Sequence, residues 1–219
     1  MIQWVCELSA SAMGRENVYV ATDSDVIASL VEDSGYKAVM TSSDCLTGTD
    51  RVADAMRILG LPMAINVQGD EPLLDPELVQ NVAFLLSSSA GSVINAGARV
   101  VDPDEAASGS IPKMVVSNSG RLLYASRTRI PGSKDDLTAK SLVLHKQVCV
   151  YGFHLDSLDH FGSGASKAPL EQIEDIEILR FLEWDVPVKI LLTDSISIAV
   201  DFPDDVARVE RALDARRGV

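Results

Sequence analysis

Gln68, Asp70 and Glu71 crowd one short turn, Gln68-Gly69-Asp70-Glu71-Pro72, directly after the apolar run Ala64-Ile65-Asn66-Val67. An amide and two carboxylates at the carboxyl end of a buried strand offer oxygen acceptors to a hard cation or to ligand hydroxyls. The arrangement recurs in "SIAVDFPDDV" (197–206), where an apolar run ends in Asp201 and Pro203 opens a helix. Two lone aspartates at strand ends are what a divalent cation uses when it also carries substrate phosphates. Both sites also have an ordinary reading. The first is a common Gly-Asp turn and Asp201 is a good helix N-cap, and spacing alone does not separate these roles.

Other polar groups fall between elements. "DCLTGTDR" (44–51) is a glycine-containing loop leading into a helix, so its backbone amides, with Arg51, suit an anionic or nucleobase group; the plain alternative is an N-cap at Thr49 or Asp50. Arg127 and Arg129 in "LYASRTRIP" follow a strand and are available to a carboxylate or phosphate, or are simply surface arginines. "HLDSLDH" (154–160) reads as the polar face of a short surface helix rather than a metal site. The glutamates of "PLEQIEDIE" share one side of a helix and are by default solvent-facing.

The elements that must position these groups alternate short β-rich runs with helical ones. "NVYVAT" (17–22), "KAVMTS" (37–42) and the run at 63–67 read as strands. Helices read at "DVIASLVEDSG", closed by Gly35, at "DRVADAMRILG" (50–60), and at "DPELVQNVAFLL" (75–86) with Asp75 as N-cap and Pro76 at its first position. Three strand-helix units in succession argue for a parallel sheet with helices on its faces. Then follow strands at "SVINAGARV", "KMVVSNSGRLLYAS" with a hairpin at Asn118-Ser119-Gly120, and "KQVCVYGF". A single helix is expected over "PLEQIEDIEILRFLEW" (169–184), then strands "VKILLT" and "SIAV" and a last helix from Pro203. In open α/β sheets ligands bind outside the carboxyl ends of the strands, where the Gln68–Pro72 turn lies. The chain begins "MIQWVCELSASAMG", a helix with no strand before it.

Composition narrows the partners. The chain has 219 residues, 47% of them hydrophobic, enough for one sizeable core. A net charge of −13 disfavours nucleic acid and anionic membranes. No apolar run is long enough to span a bilayer and no export signal is visible. The three cysteines are far apart, as free thiols in a reducing cytoplasm would be.

Taken in order, "VATDSD", "TGTDR", "NVQGDEP", "LYASRTRIP", "PLEQIEDIEILR" and "AVDFPDD" resemble the CMP-Kdo synthetases, the 3-deoxy-manno-octulosonate cytidylyltransferases, over nearly the whole chain. The resemblance implies a three-layer nucleotide-diphospho-sugar transferase-like α/β fold, with a mostly parallel central sheet and a small antiparallel elaboration. It implies one domain over 1–219, with a dimerisation and sugar-binding elaboration around 112–165. It implies a cytoplasmic, homodimeric, magnesium-dependent enzyme that joins CTP to an acidic eight-carbon sugar for lipopolysaccharide assembly. Asp70 and Asp201 match the catalytic, magnesium-holding aspartates. Gln68, Arg127, Tyr151 and Glu177 match sugar-side residues, and Thr49 and Arg51 belong to the cytidine-recognition segment.

Departures from the family pattern sharpen the expectation. The usual "HxGxY" is "QVCVY" here, with Gln147 for the histidine and Cys149 for the glycine. The glutamate-glutamine pair becomes Glu177-Ile178, and the "DH" before the "GT" loop becomes Asp44-Cys45. Gln147 and Ile178 fall on sugar-contacting positions, which favours 8-amino-Kdo over Kdo. The family's opening strand and phosphate loop, of the type "IPARxxSxRxPGKPL", has no counterpart here, and a truncated chain is the expectation. The rival reading is a truncated, non-catalytic relative that binds sugar or nucleotide; a nonulosonate transferase fits the motifs less well.

Overall fold

Capping chemistry sets the helix boundaries. The computed structural model describes residues 1–134, 143–195, 198–200 and 202–217. Its first helix, α1 (Ile2–Met13), leads through a short 3-10 turn at 15–17 to strand β1 (Tyr19–Thr22), which therefore starts two residues later than the apolar run. Helix α2 (Asp25–Asp33) is capped by Ser24, whose hydroxyl accepts from Ile27 N, and β2 (Lys37–Met40) follows Gly35 in its left-handed conformation, φ 78. Helix α3 (Gly48–Leu59) starts at Thr47, whose hydroxyl accepts from Asp50 N at 3.1 Å, and ends on Gly60. After β3 (Met63–Val67), α4 (Pro76–Ser87) has the expected start: Asp75 accepts from Glu77 N at 2.9 Å and Pro76 occupies the first turn.

The second half contains β4 (Val93–Arg99), the short helix α5 (Pro103–Ala107), the hairpin β5 (Lys113–Val116) and β6 (Leu122–Ser126), and the long strand β7 (His145–His154). Gly120 makes the hairpin turn at φ 80. The expected single helix over 169–184 is two, α6 (Pro169–Glu174) and α7 (Ile178–Glu183). Asp175 adopts a left-handed conformation, φ 51, which an aspartate tolerates better than most residues, and that breaks the helix. Strand β8 (Val188–Thr193) and helix α8 (Pro203–Arg217) complete the chain. Residues 198–200 of the expected "SIAV" strand form no strand, and Ser197 lies outside the described residues.

The sheet is mixed. β7 is antiparallel to both β3 and β4, β4 is parallel to β8, and β1 is parallel to β2. Hence β3, β4 and β8 run the same way, with β7 inserted against them. The start of β7 pairs with β5, and through it the hairpin, while its later half pairs with β3 along the same edge. This is the expected α/β architecture with an antiparallel elaboration. One core lies between α3, α7 and the sheet, around Met56, Phe153, Leu179 and Phe181; another lies under α4, around Val79, Val82, Ile94 and Val150. Among the described residues β1 pairs only with β2, and β3 only with β7. Their other edges line one cavity of about 950 Å³, floored by Val52 and Ala55 of α3 and roofed by Val5 of α1 and Val79 of α4.

Candidate active site

Gln68 and Asp70 line both that cavity and a second one of about 460 Å³ on the hairpin side. The turn that carries them is pinned to β7. Gln68 N donates to the Cys149 carbonyl at 3.3 Å, and the buried Glu71 takes the Cys149 N–H on Oε1, also at 3.3 Å. Glu71 is thus engaged with the scaffold, and it lines the second cavity alongside Gln68 and Asp70. The carbonyl of Asp70 accepts from Val200 N at 2.9 Å, so the segment before residue 201 is bound to the same turn. Asp201 itself lies outside the described residues.

The second cavity gathers most of the expected sugar-side residues: Arg127, Gln147, Tyr151 and Glu177 line it. Gln147 donates from Nε2 to Asn95 Oδ1 at 3.2 Å, which fixes its amide on the buried Asn95. Tyr151 is buried beside Phe153, and burial pushes its phenol well above the usual tyrosine range, so it acts as a neutral donor. Burial likewise holds the Cys149 thiol up, in the inert protonated form. Arg127 is turned on the protein: Nε reaches the Glu174 carbonyl at 2.6 Å, Nη2 the Asp175 carbonyl at 2.7 Å, and Nη1 the carbonyls of Gly109 and Ser110. The helix break at Asp175 is what presents those two carbonyls. Ile178 departs from expectation. It is 1% exposed, packs in the core with Leu179 and Phe181, and is not among the cavity's lining residues. As the first residue of α7 it is turned inward, toward the apolar core that an isoleucine prefers.

The nucleotide-side expectations divide in the same way. Arg51 lines the larger cavity, donating to Thr41 Oγ1 at 2.7 Å and pairing with Asp23 at 3.2 Å, so it ties α3 to the ends of β1 and β2. Thr49 is buried and lines neither cavity; its N–H and hydroxyl both go to Glu177 Oε2. Burial raises the carboxyl of Glu177, against the lowering effect of bonds from Thr49 and Gly48.

Two buried groups escaped the sequence reading. Arg180 is fully buried between Asp50 and Glu171, bonded to both carboxylates at 2.6 to 3.3 Å, and stacked on Phe161. Lys113 is 0% exposed and donates to the carbonyls of Ser108, Ile111 and Arg127. Nothing in a single sequence separates such cations from surface ones; the only signal is that each sits in an otherwise apolar run, "ILRFL" and "PKMVV". Among the described residues no group of three His, Cys, Asp or Glu could enclose a metal. A cation carried by substrate phosphates needs only one or two protein carboxylates. Asp70, an oxygen donor on the wall of both cavities, fits that kind of site.

The site is thus a set of acceptor-bearing turns at strand ends of a mixed α/β sheet, facing two adjoining cavities. A family model described as cytidylyltransferase matches residues 1–189, and the chain belongs to that family. It is 40% identical over 217 residues to a 3-deoxy-manno-octulosonate cytidylyltransferase of Desulfatibacillum aliphaticivorans, covering 97% of this chain and 87% of that one. It is 38% identical to an 8-amino-3,8-dideoxy-manno-octulosonate cytidylyltransferase of Shewanella baltica, with the same coverages. A solved structure of a CMP:2-keto-3-deoxy-manno-octonic acid synthetase complexed with CTP superposes with a TM-score of 0.86 at 31% identity, over 99% of this chain and 88% of the other.

Proposed function

We propose that the chain transfers CMP from CTP to an eight-carbon acidic sugar, Kdo or its 8-amino analogue, for lipopolysaccharide assembly. The observation that carries this reading is the meeting of two cavities at Gln68 and Asp70, with similarity to cytidylyltransferases for both sugars. CTP occupies the Arg51 side and the sugar the Tyr151 and Gln147 side. The anomeric hydroxyl oxygen forms a bond to the α-phosphorus as the bond from that phosphorus to the bridging oxygen breaks. The hydroxyl proton is lost to solvent and pyrophosphate leaves. Tyr151 and Gln147 orient sugar hydroxyls by hydrogen bonds, and Arg127 fixes the loop at the mouth. Asp70 and Asp201 would hold Mg²⁺, which when bound offsets charge on the phosphates. The reading includes a cytoplasmic homodimer built on the 112–165 elaboration, which sedimentation would check. Pyrophosphate release from CTP with each sugar tests the reaction, and absence of release with both sugars under all magnesium conditions overturns it.

A second reading, a relative that binds without turnover, is favoured by the open edges of β1 and β3 around the larger cavity. Calorimetric binding of CTP or sugar without pyrophosphate release would select it.

A further inference from the structure

Glu177 lines the sugar-side cavity, and its carboxylate also reaches the other side of the site. Gly48 N donates to its Oε1 at 3.2 Å, Thr49 N to its Oε2 at 2.8 Å, and the Thr49 hydroxyl to the same Oε2. These are the first residues of α3, whose leading N–H groups have no partner within the helix. Thr47 serves Asp50 N, and Glu177 serves the two donors before it. An anion at this end also meets the positive end of the helix dipole. A side chain added at Gly48 would meet Glu177 Oε1 at 3.6 Å and Gln68 Nε2 at 3.7 Å, at ordinary contact distance.

Three positions on, on the same face of α7, Arg180 grips the next residue of α3. Its Nη1 and Nη2 reach the two carboxylate oxygens of Asp50 at 2.7 and 3.3 Å. Arg180 is itself immobilised by two bonds to Glu171, by the His160 carbonyl at 3.1 Å and by the Phe161 ring. Asp50 takes a further bond from Gly162 N at 3.0 Å. The side chains of Arg180 and Asp50 are wholly buried, so this bond cannot slide or exchange for water. One turn of α7 thus holds one turn of α3 by backbone and by side chain at once.

We infer that Glu177 and Arg180 are positioning residues of the nucleotide half-site: they act on CTP through the first turn of α3. The groups that depend on that turn are Gly48 and Arg51, both on the wall of the larger cavity, with Arg51 reaching on to Thr41 and Asp23. Tyr151, Gln147 and Arg127 have no bond to it. The inference rests on the reading of 47–51 as the nucleotide segment.

Glu177→Ala and Glu177→Gln test it by amide exchange and by calorimetry with CTP and with Kdo, each ligand alone. In the alanine variant the Gly48 and Thr49 amides should exchange about tenfold faster, with Ile94 in β4 unchanged, and CTP should bind about tenfold more weakly, the scale of a lost cap. The glutamine variant should recover part of the protection, because its amide oxygen still accepts. Unchanged exchange at Gly48 and Thr49, or tenfold weaker Kdo binding with CTP unaffected, overturns the inference. Failure of the unmodified chain to bind CTP sinks the cytidylyltransferase reading instead, and the exchange rates still decide the grip.

Discussion

Val200 donates its backbone N–H to the carbonyl of Asp70 at 2.9 Å, binding the segment before residue 201 to the turn that ends β3. Two stretches far apart in sequence, each an apolar run followed by an aspartate, therefore meet at one place in the fold. The proposed reading has Asp70 and Asp201 share one cation there. Asp70→Asn and Asp201→Asn should each lower kcat by about 10² or more, the scale of losing one electrostatic stabiliser. Magnesium titrated against rate checks this, and a near-normal rate with unchanged magnesium dependence removes that aspartate from the site. Asp201→Asn should cost about 1 kcal/mol or less in stability, as asparagine also caps helices.

Sugar choice now rests on Gln147, since Ile178 is in the core. The Gln147 amide is oriented by Asn95, so it presents a fixed donor and acceptor to the sugar-side cavity. A pocket built to hydrogen-bond one group can reject an analogue lacking it by factors near 10⁴. In competition for limiting CTP, 8-amino-Kdo should be used ahead of Kdo, and Gln147→His should narrow the preference. A clear preference of the unmodified protein for Kdo refutes the assignment.

Most strands, caps and turn residues were legible because local chemistry decides them: Asp75-Pro76, Gly35, Gly60 and Gly120 each do what their types dictate, whereas α3 is capped by Thr47 and not by the expected Thr49 or Asp50. The aspartate at a strand end was legible for the same reason. What the sequence hid is whatever depends on partners distant in the chain. Glu174 and Asp175 read as a continuous helix, because nothing local announces that Arg127, some fifty positions away, takes both their carbonyls. Glu177 reads as solvent-facing on a helix and Ile178 as a substituted pocket residue. Their true surroundings, α3 for one and the core for the other, arise only when α7 packs.

A half-buried, desolvated carboxylate leaves a mark on stability against pH. Burial holds the Glu177 carboxyl above its usual range, so its folded value exceeds the unfolded one, near 4.3. Its contribution to stability is then fully present below the unfolded value and is lost as pH rises through the folded value. Glu177→Gln removes that titration. The melting temperature of the glutamine variant relative to the unmodified chain should therefore rise between pH 4 and pH 7. A difference that stays flat or moves the other way contradicts the burial of this charge.

Lys113 offers the severest stability test. Lys113 is 0% exposed and its ammonium has three carbonyl acceptors, from Ser108, Ile111 and Arg127. The first two belong to the loop that also gives carbonyls to Arg127, whose guanidinium in turn holds residues 174 and 175. Lys113 and Arg127 together thus replace secondary structure as the means of joining three irregular segments around the sugar-side cavity. Methionine at 113 would keep the length and apolar stem of the side chain but leave three inward carbonyls without a donor. Each such acceptor costs about 1 kcal/mol or more, partly offset because a buried charge is also removed. A net loss of about 2–3 kcal/mol should lower the melting temperature by roughly 4–12 °C in a chain of this size. Because the loosened segments border the sugar side, the KM for sugar should rise several-fold while the KM for CTP stays put. A melting temperature within about 1 °C of the unmodified chain, or a rise confined to the KM for CTP, would show that Lys113 does not hold this wall of the site.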